Sequence, residues 1–95
     1  MKHIWTARAE RDLLEIGRYI SRHSPIAARR WVTHLRRRAR EAVDHPQLGR
    51  KVPEFGHPDI RELLHGNYRI VYRLGDDRIE VITVFEGHKR LSREP

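Results

Sequence analysis

The spacing of apolar residues changes period once, near Pro46, and that change narrows the folds open to the chain. Before it, apolar residues return every three or four positions. In ARAERDLLEIGRYISRH they are Ala9, Leu13, Ile16 and Ile20, a single stripe along a helix. Thr6 stands where it can cap that helix. Glu10 and Asp12 lie early in it, and Arg18, Arg22 and His23 late, as the helix dipole favours. Ser24-Pro25 restarts the pattern, with Ser at the cap and Pro at the first helical position. The second helix is expected over about residues 26–43, with Ala28, Trp31, Val32, Leu35, Ala39, Ala42 and Val43 on one face. Asp44-His45-Pro46 ends it. Two stripes joined by so short a turn predict an antiparallel helical hairpin.

After Pro46 the period falls to two. Residues 47–59 carry Gly49, Pro53, Gly56 and Pro58 and read as a loop, with an edge-strand fragment at 51–54. Strands follow at 60–64, 68–74 and 78–86, separated by Gly66-Asn67 and Gly75-Asp76-Asp77. KHIW at 2–5 is a further short strand. The last strand places Ile79, Val81, Thr83 and Phe85 on one side and Glu80, Ile82, Val84 and Glu86 on the other. Apolar residues on both sides put it in the interior of the sheet. The expected fold is α+β: a short N-terminal strand, an antiparallel helical hairpin, then a three-stranded antiparallel meander. It forms one domain over 1–95. One sheet face covers both helix stripes, and the other is left partly open.

Charge bears on partners. Twenty Lys+Arg against thirteen Asp+Glu give a net charge of +7, which favours nucleic acid, a ribonucleoprotein or an acidic protein segment. The competing reading is a charge kept for solubility. The chain has no cysteine, which excludes disulfides and thiolate chemistry and suits a reducing cytoplasm. No apolar run approaches the roughly 20 residues of a membrane helix, and the N-terminus lacks the apolar segment of a secretory signal. A cytoplasmic protein without membrane contact is expected. The seven histidines are nowhere closer than eight residues apart, so no zinc site is read. There is no phosphate-binding glycine loop and no nucleophile elbow, and no cofactor is implied.

Arginine is left to explain. Between Arg18 and Arg40 there are eight arginines and no acid. They make either a basic face for phosphate or an acidic partner, or a solvated face whose stems cover the core edge. A second group lies in RELLHGNYRIVYRL, residues 61–74. Strand alternation puts Tyr68, Ile70, Tyr72 and Leu74 on one face and Arg69, Val71 and Arg73 on the other. Arg61 and Leu63 share a side of the preceding strand. Two or three arginines therefore rise from the open sheet face, unless Arg69 or Arg73 pairs with Glu62 or Glu80 across the sheet.

The stretch IRELLHGNYRIVYRLGDDRIEVITVFEGHKRL, preceded by GRKVPE, resembles the RelE/ParE superfamily of bacterial toxins. Its Arg-Glu-Leu strand, Tyr-Arg-Ile-Val-Tyr-Arg strand, short acidic turn and apolar strand running into a His-and-basic segment follow the family's order over residues 49–91. The two amphipathic helices fit the remainder. The resemblance implies the toxin of a type II toxin–antitoxin pair, bound by a cognate antitoxin in a hetero-oligomer. RelE-like members cut messenger RNA in the ribosome, using sheet cations and a terminal Tyr or His. ParE-like members poison DNA gyrase without that full set. Carried onto this chain, Arg69 matches the central-strand arginine, Arg61 is the second cation and His88 takes the terminal position. Cations there would stabilise charge on a pentacoordinate phosphate, and His88 would move a proton. Arg61, Arg69, Arg73, Lys89 and Arg90 are the expected contacts to target or nucleic acid. No tyrosine follows Tyr72, and Glu54 is the only candidate base in the preceding loop. The ParE-like expectation is therefore the favoured one. The alternatives are a ribosome-dependent endonuclease and, more weakly, a basic nucleic-acid-binding adaptor.

Overall fold

Thr6 and Ser24 start the two helices. In the computed structural model, which describes residues 1–87, the Thr6 hydroxyl accepts the Ala9 N–H at 3.0 Å and donates to the Ile82 carbonyl at 2.9 Å. One cap thus also fixes the start of its helix to the last strand. Ser24 Oγ accepts the Ala27 N–H at 3.1 Å, with Pro25 in the first turn. The elements in chain order are β1 (Lys2–Trp5), α1 (Ala7–Ser21), α2 (Pro25–Asp44), β2 (Arg50–Lys51), β3 (Ile60–His65), β4 (Tyr68–Leu74) and β5 (Arg78–Glu86). The strands form one sheet in the order β1-β5-β4-β3-β2. β1 runs parallel to β5, and the other neighbours are antiparallel. β5 is interior, as its two-sided apolar pattern requires.

The helices cover one sheet face. Ala9 and Leu13 of α1 and Leu35, Ala39 and Ala42 of α2 pack with Leu63, Ile70, Tyr72, Ile79, Val81 and Val84 of the sheet. On the other face a smaller cluster joins Val52, Ile60 and Val71 with Ile82 and Phe85. The loop after β2 therefore folds back over the face expected to be open. The edge fragment expected at 51–54 shrinks to Arg50–Lys51. The chain turns at once, because the N–H groups of Phe55 and Gly56 both donate to the Val52 carbonyl at 3.1 Å. No helix among the described residues is long and apolar enough to cross a membrane.

Two strand faces differ from simple alternation. Tyr72 lies opposite Val81 but Val71 lies opposite Thr83, so the β4–β5 register shifts by one residue. That bulge reverses every side chain beyond it. Val84 joins the core and Phe85 turns outward, the opposite of the expected arrangement. The Asp12 carboxylate holds the irregularity in place, accepting the Thr83 hydroxyl at 2.5 Å and the Val84 N–H at 3.2 Å. The second departure concerns Arg61. It lies directly opposite Tyr72, so it shares the helix-covered face with Tyr72 and does not rise beside Arg69.

The turn between β3 and β4 is tight for a packing reason. Gly66 has φ +58°, and a Cβ there would sit 2.7 Å from the Trp31 ring. Gly66→Ala is expected to lower stability by about 1–3 kcal/mol, from backbone strain together with overpacking. Thermal denaturation checks this, and an unchanged Tm would mean that the Trp31 ring is free to withdraw.

Candidate functional site

Arg69 sits in the middle of the outer sheet face with 7% of its surface exposed, and Glu62 beside it has 1%. Burial of such groups is tolerable only when they are paired. Register explains how they meet: Leu64 is opposite Arg69 and Glu62 opposite Val71, so Glu62 is the diagonal neighbour on the same face. Glu62 Oε2 lies 2.6 Å from both Nε and Nη2 of Arg69. Its Oε1 accepts from Arg50 Nε at 2.7 Å. The remaining end of the Arg69 fork meets Glu54, which the returning loop carries in, with Nη1 and Nη2 each 2.9 Å from a carboxylate oxygen. The Phe85 ring, turned outward by the bulge, lies 4.9 Å from the guanidinium carbon.

Two guanidiniums and two carboxylates make this cluster neutral. Glu54 contributes most to raising the Arg69 pKa above its ordinary value; burial opposes it, and Glu62 adds to it. A phosphate approaching Arg69 would have to displace a bidentate carboxylate in a nearly dry setting. The cluster is built to hold a loop onto a sheet, and it presents no surplus positive charge.

The other expected site residues are dispersed. Arg61 donates from Nη1 to the Gly49 carbonyl at 2.9 Å, and its buried Nε finds no partner among the described residues. It sits beside Tyr72, whose hydroxyl accepts the Gly49 N–H at 3.0 Å and donates to the Pro46 carbonyl at 2.7 Å. Burial raises the Tyr72 pKa. Arg61 and Tyr72 thus anchor residues 46–49, away from Arg69. Arg73 is exposed on the Arg69 face opposite Glu80, but no ion pair joins the two among the described residues. The alternative pairing of Arg69 across the sheet is realised with Glu62, not Glu80. His88, Lys89 and Arg90 lie outside the described residues. Among the described residues no group of three or more His, Asp or Glu is placed to hold a metal ion.

A different surface was not singled out by the sequence. Between the outer sides of α1 and α2 runs a groove of about 550 Å³, lined by Leu13, Leu14, Gly17, Ala28 and Val32 with Arg11, Arg18 and Arg29 among its flanks. Gly17 lets the helices close up, since a Cβ there would meet Val32 at 3.3 Å. Leu14 is 54% exposed. Its place in LLEIG, one step off the core stripe, was the available signal. Arg36 crosses the helix pair to Glu10 at 2.8 Å and lies over the Trp5 ring.

The Arg69 cluster predicts a large structural effect. Arg69→Ala leaves Glu62 buried with Arg50 as its remaining ionic partner and is expected to cost about 3–5 kcal/mol. Arg73→Ala, at an exposed position, should stay within about 0.5 kcal/mol. Chemical denaturation of both variants checks the pair. A loss below about 1 kcal/mol at Arg69 would mean that the cluster contributes as little as a surface ion pair.

Comparison with known proteins agrees with this architecture. A family model described as the ParE toxin of the type II toxin–antitoxin system parDE matches residues 3–91. The putative toxin Y4kP of Sinorhizobium fredii is 36% identical over 89 residues, covering 90% of this chain and 88% of that protein. The toxin RelE2 of Caulobacter vibrioides is 32% identical over 82 residues, covering 85% and 89%. A solved structure of the chromosomal ParDE system from P. aeruginosa superposes with a TM-score of 0.74 at 20% identity, over 90% of this chain and 95% of that one. The fold is shared with that structure, and the chain belongs to the ParE family of type II toxin–antitoxin toxins, within the RelE/ParE superfamily.

Proposed function

We propose that this toxin arrests growth by binding DNA gyrase, and that a cognate antitoxin neutralises it in the cytoplasm. The observation that carries the reading is the neutral Arg50–Glu62–Arg69–Glu54 cluster. A ribonuclease of the related kind needs free cations converging on one phosphate. Here Arg69 is consumed by carboxylates and Arg61 lies on the opposite sheet face. Binding without chemistry asks for none of that. A second reading, ribosome-dependent cleavage of messenger RNA, has one feature in its favour: Glu54, a possible base, is already in contact with Arg69. In supercoiling assays with purified gyrase, the toxin should inhibit or trap cleaved DNA. Ribosomes programmed with message should leave that message intact. Message cut by catalytic amounts of toxin, with gyrase unaffected, would reverse the order of the two readings.

The antitoxin's place is the α1/α2 groove. Its apolar floor and cationic flanks suit an amphipathic helix with acidic residues on its outer edges. Leu14→Glu puts a charge on that floor without disturbing the core, because Leu14 is half exposed. Its Kd for antitoxin should rise at least about tenfold, or 1.4 kcal/mol, at unchanged Tm. Calorimetry showing wild-type affinity would move the antitoxin to another surface.

A further inference from the structure

α2 carries a second surface of different construction. Arg30, His34, Arg37 and Arg40 follow one another at steps of four, three and three residues, and all four are exposed. They form one ridge along the helix. Arg36 and Arg38 are tied to Glu10 and Glu41. Arg30, Arg37 and Arg40 form no ion pair among the described residues. Near the β3–β4 turn the ridge borders a cavity of about 520 Å³, lined by His34, Arg37, Arg38 and Glu41, by Leu64 and His65 of β3, and by Gly66 of the turn. The His34 and His65 rings meet edge to face at 5.9 Å. Arg38 is occupied there by Glu41 and by the Leu64 carbonyl, which leaves Arg37 and the two imidazoles to receive a ligand.

We propose that this ridge and its pocket dock on the sugar-phosphate backbone of duplex DNA. The inference does not rest on gyrase being the target. Three observations select the partner. Cations without compensating acids gain from phosphate through release of counterions. The ridge side chains themselves are cationic or imidazole, with Ile26 exposed one turn before Arg30 and Leu64, 46% exposed, beside the pocket. Protein partners draw most of their affinity from aromatic anchors such as Trp and Tyr, which the ridge lacks, whereas DNA interfaces are polar and positively charged. Binding of a single strand would require free aromatic platforms, but the Trp31 ring is engaged edge-on by Tyr68 and His65.

The test is binding of the full chain to a fluorescent DNA duplex across a salt series. Wild type should bind at about 0.05 M salt and weaken steeply as salt rises. Arg37→Glu should weaken binding at least about tenfold and lower the slope of log K against log salt by about 1. Arg30→Glu should act in the same direction. Arg78→Glu makes the same charge change at the start of β5 and should weaken binding much less. Equal losses in Arg37→Glu and Arg78→Glu would reduce the effect to net charge and overturn the proposal. So would displacement of the duplex by poly-glutamate at equal charge concentration, or tighter binding of duplex RNA. Gyrase is absent from the assay, so failure here leaves the proposed target untouched, and failure of that target leaves this result standing.

Discussion

Glu62 is a carboxylate with almost no exposure in the sheet, and much of the outer face is arranged around keeping it paired. An isolated charge there would be prohibitively unstable. Arg69 supplies the main partner, from the adjacent strand and one diagonal away. Arg50 supplies the second, from the short edge strand. Arg69 then carries more positive reach than Glu62 can use, and Glu54 takes the remainder. The loop that brings Glu54 also brings Val52 against Ile60 and Val71. A buried acid, a two-residue strand and a folded-back loop are thus one device. Each ionic contact there sets chain geometry as much as it contributes energy.

The consequence for function is a division of labour between the faces of the molecule. The sheet arginines, the natural place to look for phosphate chemistry, are largely spoken for. The surfaces with something left to offer lie on the helices. The α1/α2 groove offers apolar area, and the outer ridge of α2 offers uncompensated charge. These are opposite kinds of surface on one helical hairpin, able to serve partners of different chemistry.

What the sequence made legible follows from locality. The helices were readable because their stripes and the Thr6 and Ser24 caps are set within a turn of each other. The meander was readable because glycines mark its turns. The face of Phe85 was not, because the bulge that turns it outward depends on Asp12, some seventy residues away. Arg61 was misplaced for a related reason: the pairing that fixes its face, opposite Tyr72, belongs to the assembled hairpin and not to either strand alone. For Glu62, alternation left pairing with Arg69 across the sheet as one alternative beside Glu80. It gave no hint of burial, since that comes from a loop whose glycines and prolines announced only that it would turn.

The parallel pairing of β1 with β5 has a consequence for how the chain reaches this state. Lys2 to Trp5 meet Arg78 to Val81, and the Thr6 hydroxyl reaches Ile82 across 76 positions. The first strand made is therefore the partner of the last. Closing so long a loop carries an entropic cost that local contacts do not share. The helical hairpin and the β3–β4 hairpin draw on near neighbours and are placed to form early, with β1 zipping on afterwards. A chain stopped short of residue 78 has its helices and the β3–β4 hairpin but no β5, and so no strand to receive β1 or to complete the cover over Leu13, Leu35 and Ala39. Such a fragment is an open apolar surface and not a smaller toxin, so quality-control proteases have a clear substrate in any incomplete copy.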